Sequence, residues 1–156
     1  RASMADLPYP DESFDLIWAE GSIYIMGFAN GLQAWRRLLK PGGYIAVSEI
    51  SWLTPSRPAE VEDFWMADYA EIDMISNKIA VVEASGYVPV AHFVLPEHCW
   101  TEHYYRPLLD LAGAFLQRHD YGKEAQQLVE GTRAEAALYD RYKAYYSYAF
   151  YIAQKQ

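Results

Sequence analysis

Two short apolar runs, joined by an amphipathic segment, constrain the fold of this chain most. The first run, FDLIWAE (residues 14–20), is flanked by polar residues, and its length and composition are typical of a buried strand. The second run, YIAVSEI (residues 44–50), predicts another buried strand. Because a continuous apolar strand is typical of a parallel sheet, both strands are expected to be covered on both faces.

The segment between the two runs predicts a helix. Its apolar residues are spaced by 4, 3 and 4 positions, as on one helix face: Phe28, Leu32, Trp35 and Leu39. The turn residues Pro41-Gly42-Gly43 predict that the helix ends there and that the chain enters the next strand within three residues. Strand, helix and strand with short connections predict the β-α-β unit of a parallel sheet. The polar pair Ser48-Glu49 is then expected at the carboxyl edge, where such sheets bind ligands.

Further helices are predicted after the second strand. One is expected from residue 58 to about residue 71, with Val61, Phe64 and Trp65 on its inner face. Residues 76–85 predict another helix. Residues 101–145 also have a helical pattern, with a break near residues 119–122.

Two more strands complete the predicted α/β sheet. YVPVAHFVL (residues 87–95) predicts a third strand, and Pro89 favours an edge position for it because proline has no amide hydrogen to donate. YYSYAFYIAQK (residues 145–155) predicts the last strand. No internal repeat or low-complexity linker divides the sequence, so we predict one domain over residues 1–156.

Composition narrows the possible partners. The chain has 156 residues, of which 52% are hydrophobic, which predicts a packed globular protein. The net charge of −8 argues against binding to a nucleic acid or to an anionic membrane surface. The single cysteine, Cys99, excludes an internal disulfide and predicts a reducing compartment such as the cytoplasm. A small-molecule substrate is compatible with all of these features.

The stretch LPYPDESFDLIWAEGSIYIMGF…LQAWRRLLKPGGYIAVSE closely resembles the middle of class I S-adenosylmethionine-dependent methyltransferases. In that family, an LPF-P-D-x-S-FD segment leads into the fourth strand, and a helix ending in R-x-LKPGG leads into the fifth. The resemblance covers Ser3 to about Trp52. The later segments RPAEVEDFWMADYAEI and HFVLPEHCWTEHYY are similar to one subgroup of small-molecule methyltransferases from bacteria and archaea. The resemblance implies transfer of a methyl group from S-adenosylmethionine to a small molecule.

The resemblance also implies a Rossmann-like α/β fold with seven strands in the order 3-2-1-4-5-7-6, in which strand 7 is antiparallel. The four predicted strands correspond to strands 4, 5, 6 and 7. The glycine-rich E/D-x-G-x-G-x-G loop of the family is absent from the sequence, as is the acidic residue that ends strand 2. We therefore expect the chain to be a C-terminal, inactive portion of one methyltransferase domain, with roughly 100 residues preceding Arg1. Strand 4 would then be an open apolar edge, which predicts a homodimer.

The resemblance assigns candidate residues to the site. Those for the cofactor S-adenosylmethionine are Ser3, Met4, Ala19, Glu20 and Gly21. Position, and not the resemblance, suggests the candidates for the substrate, which follow strand 4 or strand 5 or lie in the helical cover: Tyr24, Trp52, Trp65, Tyr69, Trp100 and His103. Aromatic faces suit a sulfonium through cation–π attraction, although aromatic residues in this chain also suit a core. No catalytic residue is assigned, since methyl transfer requires alignment and exclusion of water, with a base as an addition for some acceptors.

Two other motifs could indicate a metal site or a dehydrogenase, but neither fits its full pattern. The spacing of His98, Cys99 and His103 in EHCWTEH fits no common zinc pattern, and a helix is expected to separate the two histidines, so no metal is predicted. Tyr139 and Lys143 have the Tyr-x-x-x-Lys spacing of short-chain dehydrogenases, but the glycine-rich dinucleotide loop is absent. The alternatives to a methyltransferase are a non-catalytic, self-associating fragment and a fragment of a dinucleotide-dependent oxidoreductase.

Overall fold

The computed structural model describes residues 2–156, which form two compact units. The first unit contains the described residues up to Val94 together with Tyr145–Gln156, and the second unit is Leu95–Ala144. The single domain expected over residues 1–156 stays a prediction.

The first unit is a mixed α/β structure around one sheet. Its strands are β1 (Phe14–Ala19), β2 (Leu39–Trp52), β3 (Asp73–Met74), β4 (Tyr87–Val94) and β5 (Tyr146–Lys155). Its helices are α1 (Phe28–Arg36), α2 (Ala59–Asp68) and α3 (Ile75–Ala84), preceded by a 3₁₀ turn at Ile23–Met26. The strand order is β1-β2-β5-β4, with β3 pairing with β2 beside that path.

Strand directions confirm the predicted topology. Strands β1 and β2 are parallel, while β5 lies between β2 and β4 and is antiparallel to both. The four predicted strands are therefore confirmed, as is the edge position of β4 with Pro89. The two-residue strand β3 was not predicted, because its partners Ser51 and Trp52 are distant in sequence.

The boundary between α1 and β2 differs from the prediction. Helix α1 ends at Arg36, and β2 already begins at Leu39, so Pro41-Gly42-Gly43 lies inside the strand. The pairing of β1 with β2 is irregular here, and a Cβ on Gly43 would lie 2.9 Å from the carbonyl oxygen of Lys40 and 3.2 Å from that of Asp15. The Gly-Gly pair thus permits close contact between two strands instead of ending the helix. Leu39 is buried, but from the strand and not from the helix face.

The core of the first unit lies between α1, α3 and one face of the sheet. Phe28, Leu32 and Trp35 are all buried, which confirms the predicted helix face. They pack in one cluster with side chains of β2, α3, β4 and β5, among them Ile45, Val47, Val82, Tyr87 and Tyr151.

The opposite face of the sheet is partly open in the described residues. Leu16 and Trp18 of β1 are 49% and 60% exposed, so the prediction that β1 is buried on both faces is wrong. The ring of Trp18 lies 5.2 Å from Phe150, which stacks on Phe93 at 5.4 Å between ring centroids. Strand β1 is also the edge of the sheet, which confirms the predicted open apolar edge.

The second unit is helical. It contains α4 (Glu97–Trp100), a π-helical segment (Thr101–Tyr105), α5 (Arg106–Arg118) and α6 (Lys123–Tyr142). The turn between α5 and α6 confirms the predicted break, and Asp120 and Tyr121 there have positive φ angles. Within residues 2–156, no helix is long and apolar enough to span a membrane.

Candidate functional site

The carboxyl ends of β1 and β2 meet through a short polar contact. Strand β1 ends at Ala19, which lies opposite Val47, and the following residues leave the sheet. The amide of Gly21 donates a hydrogen bond to the Ser48 hydroxyl at 2.8 Å. The exposed carboxylate of Glu20 accepts a hydrogen bond from the indole of Trp18 at 2.5 Å. These contacts fix the chain where it turns away from β1.

The two other candidate cofactor residues lie in the segment before β1. The carbonyl of Met4 accepts a hydrogen bond from the Trp35 indole at 3.0 Å, and the Met4 side chain packs against the core. Ser3 is exposed, and its hydroxyl accepts a hydrogen bond from the amide of Ala5 at 3.3 Å. The segment is therefore attached to α1 through a backbone contact that the sequence pattern did not reveal.

A buried ionic network begins at Glu49, near the end of β2. Glu49 is 0% exposed, and its Oε1 accepts hydrogen bonds from the Tyr69 hydroxyl and, at 3.3 Å, from the Lys78 ammonium. Lys78 is itself buried. Among residues 2–156, no group donates to the second oxygen, Oε2, although it is buried. Burial raises the pKa of Glu49 against the opposing attraction of Lys78.

Glu71 connects this network to the start of α1. Its Oε2 accepts a hydrogen bond from the amide of Phe28 at 3.0 Å and lies 3.3 Å from the Tyr69 hydroxyl, whose single proton is donated to Glu49. A carboxylate at a helix N-terminus satisfies an otherwise unpaired amide and interacts favourably with the helix dipole. Lys78 donates to the Glu71 carbonyl at 2.7 Å and lies 4.7 Å from the centroid of the Phe28 ring.

The turn before α1 leaves room for this carboxylate. Gly27 has a φ of +81°, and a Cβ there would lie 2.9 Å from Oε1 of Glu71. A side chain at position 27 would therefore strain the backbone and displace Glu71.

Tyr69 presents the network to the surface beside Tyr24. Their rings are 6.0 Å apart in an edge-to-face arrangement, and Tyr24 is 45% exposed. Burial, followed by the hydrogen bond to Glu49, raises the pKa of Tyr69, so its hydroxyl stays protonated in the resting protein. The side chains of Glu20 and Tyr24 are both exposed in the segment that follows β1.

Trp52 and Trp65 belong to the interior of the first unit. The Arg57 guanidinium lies 4.1 Å from the Trp52 ring, and Tyr146 contacts both tryptophan rings. Both tryptophans are buried, and the Trp65 indole N–H has no hydrogen-bond partner among residues 2–156. The structure brings these candidates together at the end of β2, but as packed side chains and not as a lined cavity.

Trp100 and His103 lie in the second unit. Trp100 is buried and stacks on Tyr139 with 4.6 Å between ring centroids, whereas His103 is exposed. The rings of His98 and His103 are 5.7 Å apart, so the expectation that a helix separates them is wrong. The π-helical turn causes this, because it has more residues per turn than an α-helix and so brings residues five apart closer to one face. The part of the chain that the structure describes contains no group of three potential metal ligands.

Sequence reasoning did not assign Glu49, Glu71 or Lys78 to the site. The polar end of β2 was an available signal for Glu49. Lys78 has a weaker signal, since it is a charged residue four positions from the apolar Val82 and so lies on the buried face of α3. Nothing in the sequence pairs residues 49 and 78.

Comparisons with known proteins agree with this architecture. A model of the methyltransferase-domain family matches residues 1–47. The methyltransferase GfsG of Streptomyces halstedii is 36% identical over 90 residues, which are 54% of this chain and 32% of that protein. The chain therefore spans about a third of the length of this curated relative.

Solved structures share the fold at low identity. A methyltransferase from Geobacter sulfurreducens, in complex with S-adenosylhomocysteine, matches 94% of this chain and 59% of its own with a TM-score of 0.76 and 19% identity. The [4+2]-cyclase SpnF matches 99% of this chain and 54% of its own with a TM-score of 0.72 and 24% identity. The fold is that of the class I S-adenosylmethionine-dependent methyltransferases. With the family match and the curated relative, these likenesses support a class I methyltransferase domain.

Proposed function

We propose that this chain belongs to an enzyme that transfers a methyl group from S-adenosylmethionine to a small-molecule acceptor. The observation that carries the proposal is the match of residues 1–47 to a methyltransferase domain, since this stretch contains β1 with its carboxyl end, α1 and the first part of β2. The solved relative from Geobacter sulfurreducens holds S-adenosylhomocysteine on the same fold. The fold also occurs in a cyclase, so the site and not the fold carries the argument.

The residues at this edge fit the proposed cofactor. The Glu20 carboxylate would face its positive charge or hydroxyl groups, and the backbone of Ala19 and Gly21 would line the turn beside it. Ser3 and Met4 would contact the adenine. When bound, S-adenosylmethionine supplies an electrophilic methyl group. The chain would hold the acceptor in line with that group and exclude water.

Tyr24 and Tyr69 are proposed to contact the acceptor. They form one aromatic pair, and two carboxylates, those of Glu49 and Glu71, lie within hydrogen-bond distance of the Tyr69 hydroxyl. Trp52 and Trp65 would support the acceptor site from the interior, and Trp100 and His103 stay proposed contacts from the second unit.

We also infer that the chain acts as part of a longer protein and self-associates through β1. The absence of the glycine-rich motif from the sequence and the short coverage of GfsG support the first inference. The exposed apolar side chains of β1 at a sheet edge support the second. The single cysteine supports a cytoplasmic location.

Calorimetric titration of S-adenosylhomocysteine into the complete enzyme, of which this chain is proposed to be a part, tests the cofactor proposal. We expect binding with a preference over NAD⁺, and weaker binding by Glu20→Ala. Glu83→Ala is the matched control, because it removes an exposed carboxylate from α3 of the same unit. Preference for NAD⁺ would favour the oxidoreductase alternative. Binding of neither compound would favour a non-catalytic fragment for this chain.

A further inference from the structure

Tyr69 lies between a buried and an exposed carboxylate. Its hydroxyl donates to Oε1 of the fully buried Glu49 and lies 3.3 Å from Oε2 of the exposed Glu71. A phenol has one proton to donate, so the side of the oxygen that faces away from Glu49 offers lone pairs to a ligand. Tyr24, exposed and 6.0 Å away, provides an aromatic face next to that oxygen.

The buried carboxylate can accommodate a further proton. Glu49 has a single ammonium partner, Lys78, and the Glu71 carboxylate lies near Glu49 at the same Tyr69 hydroxyl, so these three ionisable groups carry one excess negative charge. Proton uptake would make them neutral overall. The buried Oε2 of Glu49, which lacks a donor among residues 2–156, marks where the carboxylate is least satisfied in its charged form. Burial raises the pKa of Glu49, in agreement with this geometry.

We propose that Tyr69 and Glu49 form a proton relay that activates a hydroxyl group on the methyl acceptor, with Tyr69 touching the acceptor and Glu49 acting through Tyr69. This inference rests on the proposed methyltransferase function and extends it by naming the acceptor class as an alcohol or phenol. Tyr69 is then a catalytic residue, and Glu49 is its proton acceptor and positioning residue.

The proposed step moves one proton from the acceptor and one methyl group to it. The acceptor O–H gives its proton to the Tyr69 oxygen while the Tyr69 proton passes to Oε1 of Glu49. The acceptor oxygen forms a bond to the methyl carbon as the methyl–sulfur bond breaks, and the sulfur keeps the electron pair and becomes a neutral thioether. The proton on Glu49 then returns through Tyr69, and the exposed Glu71 carries it to water.

Ligand binding tests the role of Tyr69 without turnover. Phenol and anisole share a ring, but only phenol has a hydroxyl proton to donate. Titration followed by NMR is expected to show phenol binding more tightly than anisole to the 156-residue chain, with about a tenfold preference. Tyr69→Phe is expected to abolish the preference. Tyr9→Phe, which changes an exposed tyrosine of the same unit, is expected to keep it. Equal binding of the two compounds, or no binding of either, would overturn the proposal.

Turnover tests the role of Glu49. In the complete enzyme, with S-adenosylmethionine and phenol, we expect Tyr69→Phe and Glu49→Gln to lower kcat by about 100-fold with a much smaller change in KM, as for the loss of a general base. Thiophenol, which is far more acidic and needs no base, is expected to react with the variants nearly as well as with the unchanged chain. Because Glu49→Gln leaves Lys78 without its charged partner, Glu49→Gln/Lys78→Met provides a second, charge-balanced variant. Equal rates with phenol in the unchanged chain and the variants would overturn the relay.

The two hypotheses fail in different ways. A chain that binds S-adenosylhomocysteine but methylates thiophenol and not phenol would keep the methyltransferase proposal and overturn the hydroxyl acceptor. A complete enzyme that binds no S-adenosylhomocysteine would overturn the proposed function. The preference for phenol over anisole would still decide whether the Tyr69 oxygen receives a proton donor.

Discussion

The two faces of the sheet differ in their surroundings at the edge strand β1, although the same strands build both faces. On the face toward α1 and α3, β2 contributes Ile45, Val47 and Glu49, all at most 1% exposed. On the other face, β1 contributes Leu16 and Trp18, about half or more of whose surface is exposed. The covered face holds a buried ion pair at its polar end, whereas the open face shows an aromatic surface. Side-chain type alone therefore does not decide which residue is buried; the elements packed on each face decide it.

The largest loss in the free energy of unfolding is expected from Glu49→Leu, on the covered face. The substitution leaves the buried Lys78 ammonium without its charged partner, which costs about 3–5 kcal/mol of the free energy of unfolding. Denaturant unfolding of the 156-residue chain measures this loss. The double variant Glu49→Leu/Lys78→Leu is expected to recover most of it. A single variant as stable as the unchanged chain would contradict the buried ion pair.

Two apolar substitutions, one on each face of the sheet, compare the loss of stability directly. Ile45→Ala on the covered face is expected to cost about 2–5 kcal/mol, because it leaves a cavity in a packed cluster. Leu16→Ala on the open face is expected to cost less than about 1 kcal/mol, since its side chain is already half exposed. Chemical denaturation of both variants gives the two values. Equal losses would mean that the open face is covered in solution.

The pH dependence of stability tests the electrostatics of the covered face. The folded protein raises the pKa of Glu49 above its ordinary value of 4.5, chiefly by burial, so the folded state holds this proton more tightly than the unfolded state. The contribution of Glu49 to stability is therefore full below that ordinary value and is lost as the pH rises through the folded pKa. Unfolding free energies measured from about pH 4 to pH 8 should show this decline, and Glu49→Gln should remove it. An increase in the Glu49 contribution over this range would contradict the predicted direction.

The smallest change in stability is expected on the open face. Trp18→Ser removes the most exposed ring of β1 and should alter the free energy of unfolding by no more than about 0.5 kcal/mol. It should nevertheless reduce self-association, because it interrupts the aromatic surface at the sheet edge. Light scattering of both proteins at several concentrations measures this effect. A monomeric unchanged chain would contradict the proposed homodimer.

The helices and strands were predictable where short-range pattern and packing agree. Phe28, Leu32 and Trp35 follow helical spacing and are all buried, and β2 follows an uninterrupted apolar run. The end of α1 was not predictable from Pro41-Gly42-Gly43. A Gly-Gly pair can end a helix or permit close contact between strands, and the proximity of β1 selects the second. The closeness of His98 and His103 likewise depends on a π-helical turn that no local rule required.

Periodicity and turn chemistry, which act over neighbouring residues, were enough to predict the α/β class of the fold and the polar end of β2, whereas the strand order was implied by the resemblance to class I methyltransferases. Which charged groups contact each other near the end of β2 depends on tertiary packing. Glu49 lies in β2, Tyr69 directly follows α2, and Lys78 lies in α3. Packing of these three elements brings the side chains together. Their pairing and burial depend on contacts between distant parts of the chain, which no spacing along the sequence records.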